Sequence, residues 1–151
     1  MYPILLSLKE RAILVIGAGT VATRKVRELI TAGGQPVVVA PTASPLIQEW
    51  AAAGLIRWQA RPFQVKDLSG IQLIFLCTAD QEVQKQVLQA KLPEQWLNDT
   101  TQQAHSDFFN MGTLRESDFL LAISTLGKDP SKAKALRQAL QVWLEENESL
   151  F

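Results

Sequence analysis

The chain has 151 residues, the usual length of one domain that buries its own core without disulfide or metal support. Hydrophobic residues make up 47% of it and charged residues 20%, which excludes a disordered chain. Fifteen basic residues balance fifteen acidic ones, so charge gives no reason to expect nucleic acid or an anionic membrane as a partner. No apolar run reaches the roughly 18 residues of a membrane span and no export signal is visible, so we expect a cytoplasmic protein.

Short apolar segments alternate with helical patterns along the first hundred residues. The apolar runs are continuous rather than alternating, which is typical of strands covered on both faces of a parallel sheet. The predicted strands are 12–16, 37–39, 56–58, 73–77 and 96–98, and the predicted helices begin near residues 21, 45 and 81. This pattern predicts an α/β fold with a Rossmann-type, doubly wound parallel sheet.

The last forty residues have a different pattern. A strong apolar strand over 119–124 is followed by a turn at 127–130 and a helix from Ser131 to about Glu146. We therefore interpret residues 1–110 as a dinucleotide-binding Rossmann domain and residues 111–151 as a short C-terminal strand–turn–helix appendage.

A glycine-rich turn, Gly17-Ala18-Gly19-Thr20-Val21-Ala22, joins the first predicted strand to the first helix. Gly17 allows a tight exit from the strand, Gly19 allows backbone to approach a pyrophosphate, and Ala22 allows close packing of helix and sheet. Amide groups and the helix dipole then bind the phosphates of a nicotinamide cofactor. The alternative is a structural turn that binds nothing.

Further cofactor contacts are expected where strands end at the same edge of the sheet. The segment 39–44 carries neither an acid for the ribose hydroxyls nor an arginine for a 2′-phosphate, which favours NAD over NADP. The predicted cofactor-binding residues are Gly17, Gly19, Thr20, Val21, Pro41, Thr42, Thr78 and Ala79.

The chain opens on Tyr2-Pro3-Ile4, and Thr23-Arg24-Lys25-Val26 follows the glycine turn. With these motifs it resembles precorrin-2 dehydrogenase, the dehydrogenase module of siroheme synthases, over essentially its whole length. Other landmarks of that family stand in the same order: Leu8-Lys9, Val39-Ala40-Pro41, Ser44-Pro45, Arg61-Pro62-Phe63, Cys77-Thr78-Ala79-Asp80, Asp107-Phe108 and Ala122-Ile123-Ser124-Thr125 before Pro130.

The resemblance implies NAD-dependent oxidation of precorrin-2 to sirohydrochlorin, a step toward siroheme. It also implies a cytoplasmic homodimer, in which the appendage contributes to dimerisation, and a tetrapyrrole substrate. Some family members insert iron into the product. The present chain stops about one helix beyond Pro130, so we do not expect chelatase activity from it, and one His and one Cys supply no evident metal site.

The chain departs from the family at the catalytic aspartate, where an ungapped alignment places Thr101. Asp99 replaces the missing carboxylate if the loop shifts by two residues, so Asp99 is our predicted catalytic residue; a loop or cap acid is the alternative. Leu126 stands where the family commonly has glycine. These departures leave open a catalytically inactive protein that binds NAD or tetrapyrrole.

Two further groups have alternative interpretations. The carboxylates of a tetrapyrrole need hydrogen-bond donors. Each basic candidate is either such a donor or an ordinary surface charge, and the candidates are Arg24, Lys25, Arg115 and Lys128. His105 is either a proton shuttle near the nicotinamide or an ordinary surface histidine.

Overall fold

The computed structural model describes residues 2–116 and 118–147. Its backbone forms two compact units, one from Ile4 to Phe108 and the other made of the remaining described residues. Each unit is described by itself below.

The first unit is built on a sheet of five parallel strands in the order β3-β2-β1-β4-β5. The central strands β1 and β4 are buried throughout, which explains their continuous apolar sequences. The chain leaves β1 for β2 on one side and reaches β4 on the other, which confirms the doubly wound sheet. The strands are β1 (Ile13–Ile16), β2 (Val37–Val39), β3 (Arg57–Gln59), β4 (Leu73–Leu76) and β5 (Trp96–Asp99).

Helices cover both faces of this sheet. Successive side chains of β1 point to opposite faces, so Ile13 and Val15 join one core cluster and Leu14 and Ile16 join the other. The first cluster includes buried residues of α1 and α2, and the second includes Val87 of α3. The helices are α1 (Thr20–Thr31), α2 (Pro45–Ala52) and α3 (Gln81–Ala90), and short 3₁₀ turns occupy Val65–Leu68 and Gln103–His105.

The second unit contains an antiparallel hairpin, β6 (Gly112–Arg115) and β7 (Leu120–Ile123), followed by α4 (Pro130–Glu146). The sequence predicts the second strand but not β6, because Gly-Thr-Leu-Arg has no apolar run and depends on its partner strand for regular structure. The Asp129 side chain caps α4 by accepting a hydrogen bond of 2.9 Å from the Lys132 amide. Within the described residues, none of the helices has the length and apolar character needed to cross a membrane.

Candidate functional site

The loops that carry the predicted cofactor residues start at one level of the sheet. Ile16 at the end of β1 is in register with Val39 of β2 and with Leu76 of β4, and Leu76 is in register with Asp99 of β5. In an open parallel sheet, ligands bind outside the carboxyl ends of the strands where the strand order reverses. This edge, between β1 and β4, is therefore the candidate site.

The glycine turn leaves β1 in a conformation that only glycine adopts freely. Gly17 has φ +101°, and a Cβ built on it would lie 2.6 Å from the carbonyl oxygen of Cys77. A Cβ built on Gly19 would meet nothing within 4 Å, so it would point into open space at the edge of the site. The two glycines thus serve different purposes: Gly17 allows close packing and Gly19 leaves room for a ligand.

The start of α1 offers amide donors at this open edge. Gly19 is the N-cap residue, no side chain caps the helix, and no acidic residue lies in its first turn. The amides of Thr20 and Val21 have no acceptor within the helix, because the first turn of any α-helix lacks one. Both residues are exposed. A helix terminus of this kind fits the pyrophosphate of a dinucleotide.

The loop after β2 is hydrogen-bonded to the glycine turn and to the first turn of α1. The Ser44 amide donates to the Ala18 carbonyl oxygen at 3.1 Å, and the Thr23 and Ser44 hydroxyls lie 2.7 Å apart. These contacts hold the loop that carries Pro41 and Thr42, which are both exposed, next to the turn. The structure therefore brings the residues predicted for the ribose and for the phosphates to one edge.

The segment after β4 contributes Thr78 and Ala79 to the same edge. Thr78 is half-buried, and its hydroxyl accepts a hydrogen bond of 3.2 Å from the Asp80 amide, while Ala79 is exposed. Burial raises the pKa of the neighbouring Cys77 thiol to about 11, so the thiol stays protonated at neutral pH. Cys77 is accordingly a packing residue, because a protonated thiol is neither a base nor a nucleophile.

Asp99 lies at the end of β5, and its side chain is only 1% exposed. Its Oδ1 accepts hydrogen bonds from the Thr101 amide at 2.8 Å, the Thr101 hydroxyl at 2.7 Å and the Gln102 amide at 3.1 Å. Burial alone would raise the pKa of this carboxyl, but these donors and His105 outweigh it and hold the pKa below its usual value. Asp99 is an ionised carboxylate that organises its own loop.

The second carboxylate oxygen of Asp99 faces a histidine. The Nδ1 atom of His105 lies 3.0 Å from Oδ2 of Asp99, and the His105 side chain remains 32% exposed. The sequence points to each residue separately but not to the pair, because two side chains six positions apart in an irregular loop have no characteristic spacing. The catalytic role predicted for Asp99 stays a prediction, and its burial limits the form that role can take.

The candidate donors for substrate carboxylates differ in how exposed they are. The sequence predicts Lys25 to be a surface charge unless it reaches the substrate, but the structure shows it only 7% exposed, and burial lowers the pKa of its amine. Arg24 is exposed on α1, and Arg115 and Lys128 are exposed in the second unit. Within the described residues, no three His, Cys, Asp or Glu side chains are grouped to hold a metal ion.

One concavity in the first unit lies away from this edge. It has a volume of about 280 Å³ and is lined by residues at the starts of β1, β2 and β3, among them Ala12, Val37 and Arg57. At this side of the sheet α1 and α2 end rather than begin, so carbonyl groups and not free amides lie there, and we do not place the cofactor in this concavity.

Comparison with known proteins agrees with this geometry. A family model described as "Putative NAD(P)-binding" matches residues 4–111. The chain is 33% identical over 147 residues to a precorrin-2 dehydrogenase of Priestia megaterium, covering 97% of this chain and 73% of that relative. It is also 36% identical to siroheme synthase 3 of Aeromonas hydrophila, but spans only 31% of that longer protein.

A solved structure leads to the same relatives. The structure titled "SirC, precorrin-2 dehydrogenase" superposes with a TM-score of 0.85 at 33% identity, over 94% of this chain and 70% of that one. The match extends across the Rossmann sheet and most of the rest of the chain. The fold, the glycine turn at the carboxyl edge of the sheet and these similarities together show that the chain belongs to the precorrin-2 dehydrogenase family.

Proposed function

We propose that this chain is an NAD-dependent dehydrogenase that oxidises precorrin-2 to sirohydrochlorin in siroheme biosynthesis. The observation that carries the proposal is the open start of α1, where Gly19 leaves space and the Thr20 and Val21 amides face a free edge. A relative named precorrin-2 dehydrogenase is 33% identical to this chain over 147 residues, which are 97% of the chain. The substrate is inferred from membership of the family, and the cofactor site is inferred from the carboxyl edge of the sheet.

The chain's residues divide the binding of the dinucleotide among three loops. Backbone of the glycine turn would hold the pyrophosphate, Pro41 and Thr42 would bind the adenosine ribose, and Thr78 and Ala79 would bind the nicotinamide half. The bound nicotinamide supplies the chemistry by accepting a hydride. The parallel sheet keeps these loops rigid, because each begins at the buried end of a strand.

NAD fits the β2 loop better than NADP. A 2′-phosphate needs an Arg or Lys partner, and the segment from Val39 to Ser44 has no charged residue. The ribose hydroxyls are therefore held by the Thr42 hydroxyl and by backbone. The enzyme is expected to act in the cytoplasm and to form a homodimer through its second unit.

A catalytically inactive protein that binds NAD or tetrapyrrole is the second candidate. Two features favour it: the family resemblance places Thr101 where the family has its aspartate, and the nearby Asp99 carboxylate is buried. An inactive protein would keep the glycine turn and lose only the step that removes hydrogen from the substrate.

The test is NADH formation from anaerobically generated precorrin-2, measured by absorbance, together with calorimetric titration of NAD. We expect turnover by the native chain and loss of both binding and turnover in Gly19→Asp, whose carboxylate would occupy the space for the pyrophosphate. Binding of NAD without turnover by the native chain would leave the second candidate.

A further inference from the structure

We propose that His105 is the proton acceptor in this dehydrogenation, and that the buried carboxylate of Asp99 positions its imidazole. The inference rests on the proposed function and adds to it the residue that takes the proton. It also gives Asp99 a defined part in the reaction, as a positioning residue that does not touch the substrate.

The first step of the argument is that Asp99 cannot meet a substrate itself. Its side chain is 1% exposed, and Oδ1 is occupied by donors from Thr101 and Gln102. The remaining oxygen, Oδ2, faces Nδ1 of His105 at 3.0 Å. The exposed Thr101 hydroxyl also reaches this carboxylate, but a hydroxyl is not a base near neutral pH, so the imidazole is the basic group that connects Asp99 with the surface of the site.

The second step concerns which ring nitrogen carries the proton. An ionised carboxylate only accepts hydrogen bonds, so Nδ1 of His105 must be the donor. A neutral imidazole that is protonated on Nδ1 has its lone pair on Nε2, which is then free to take a proton. Asp99 thus fixes the tautomer that a base requires and stabilises the imidazolium formed afterwards, in the manner of a carboxylate behind a catalytic histidine.

The third step is the position of the ring. Asp99 is the last residue of β5 and is in register with Leu76 of β4, which is in register with Ile16 of β1. At about 4.8 Å between neighbouring strands, the end of β5 lies roughly 10 Å from the glycine turn. A dinucleotide with its pyrophosphate at that turn extends over this distance toward β5, so His105 lies at the end where the nicotinamide is expected.

The fourth step is the absence of a better base among the described residues at this edge. The Cys77 thiol is protonated, because burial raises its pKa to about 11. Lys25 is 7% exposed, and Thr78 and Thr100 have hydroxyls that do not ionise near neutral pH. The Asp80 carboxylate caps α3, where its Oδ1 accepts hydrogen bonds from the Glu82 and Val83 amides at 2.9 and 3.2 Å. Histidine is the side chain suited to accepting a proton there, and His105 is the only histidine in the sequence.

The step balances as a two-electron oxidation. A C–H bond of precorrin-2 breaks and its electron pair leaves with the hydrogen to the nicotinamide, so the substrate is oxidised and NAD⁺ is reduced. The accompanying proton leaves the substrate and forms a new N–H bond at Nε2 of His105. The imidazolium, held against Asp99, then passes this proton to water through its exposed edge.

The first experiment reads the imidazole without substrate or cofactor. The sequence has one histidine, so the imidazole signals in a long-range ¹H–¹⁵N spectrum of the native protein all come from His105 and report its tautomer directly. We expect a proton on Nδ1 and a lone pair on Nε2 at a pH where the ring is neutral. A ring protonated on Nε2 would overturn the proposal, since that nitrogen could not accept the substrate's proton.

The second experiment measures catalysis in variants that keep the loop folded. Asn at position 105 retains an N–H donor for Asp99 but has no base, so His105→Asn should lower kcat about 100-fold or more while NAD affinity and KM stay unchanged. Added imidazole should restore turnover to His105→Ala. Gln103→Ala, at an exposed residue of the same 3₁₀ turn, is the matched control and should keep native activity.

The outcomes separate this inference from the proposed function. Native turnover combined with an equally active His105→Asn variant would overturn the role of His105 and leave the dehydrogenase intact. A native protein that binds NAD but does not oxidise precorrin-2 would overturn both. Loss of turnover in His105→Asn, with rescue of His105→Ala by imidazole, would establish His105 as the proton acceptor.

Discussion

The Cα of Gly17 packs directly against the backbone at Cys77: a Cβ on Gly17 would stand 2.6 Å from the carbonyl oxygen and 2.9 Å from the carbonyl carbon. The obstacle is backbone at the end of a central strand, so no side chain can swing away to relieve it. Gly17 also has φ +101°, which disfavours any other residue. We expect Gly17→Ala to lower the free energy of unfolding by about 3 kcal/mol or more, measured by urea denaturation.

Gly19 is expected to respond in the opposite way. Its φ of −83° suits any residue, and a Cβ would meet nothing within 4 Å, so Gly19→Asp should leave the free energy of unfolding nearly unchanged. The new carboxylate would repel the pyrophosphate, and we expect NAD affinity to fall at least about tenfold, or ~1.4 kcal/mol. Calorimetry on both glycine variants checks this; retained affinity in Gly19→Asp would place the cofactor elsewhere.

The ion pair between Arg61 and Asp67 predicts how stability depends on acid. Arg61 donates to the two carboxylate oxygens at 2.8 and 2.6 Å, and the Gln64 amide donates to one of them at 2.9 Å. The Arg61 hydrogen bonds lower the pKa of Asp67 below its usual 3.8. The carboxylate therefore contributes stability at neutral pH, and this contribution is lost as pH falls below 3.8 through the lower pKa of the folded state.

Asp67→Asn should accordingly melt a few degrees below the native protein at pH 7. At an acid pH below the lowered pKa of the folded state the two melting curves should converge, because the native carboxyl is then protonated too. The exposed Glu94→Gln serves as the control and should melt like the native protein at both pH values. If the difference in melting temperature between Asp67→Asn and the native protein persists at low pH, the substitution acts through packing or hydrogen-bond geometry and not through loss of the charge.

The parallel sheet could be predicted from sequence because its strands are buried on both faces. The sequence predicts Val37–Val39 at its observed bounds, and Leu73–Leu76 within one residue, since a short continuous apolar run is typical of a strand buried on both faces. Strand β6 could not be predicted, because its four residues become regular only by pairing with β7. Local pattern thus predicts what burial determines, and it misses what depends on a partner segment.

The site shows the same division. The glycine turn was predictable because the local backbone conformation and close packing of the turn require small residues at fixed positions. The contact between Asp99 and His105 was not, because a loop of irregular conformation brings the two together. Lys25 was expected at the surface, yet its side chain is buried. The periodicity of a helix predicts the direction in which a side chain points, but it does not predict how much of that side chain the neighbouring elements cover.

Leu126 occupies a conformation that favours glycine. Its φ is +55° and its side chain is 60% exposed, so the residue bears backbone strain without much packing in return. We expect Leu126→Gly to raise the free energy of unfolding by about 0.5–1 kcal/mol, after the extra freedom of glycine in the unfolded chain is subtracted. Leu126→Ala, which keeps the strain, is the matched control in thermal unfolding and should bring no gain.

Lys25 is expected to reduce stability at neutral pH. Burial lowers the pKa of its amine from the usual 10.5, so the folded state disfavours the charged form that the unfolded chain keeps. Lys25→Met, similar in length but uncharged, should therefore raise the free energy of unfolding by about 1 kcal/mol at pH 7. The exposed Lys85→Met is the control and should leave it unchanged.

The advantage of Lys25→Met should shrink as pH rises through the lowered pKa toward 10.5, because the native amine then loses its proton in the folded state and the penalty disappears. Urea denaturation at neutral and alkaline pH measures both values. A variant less stable than the native protein at pH 7 would contradict this account and show that the ammonium is well paired where it lies. Its charge would then stabilise the first helix rather than oppose the burial of its side chain.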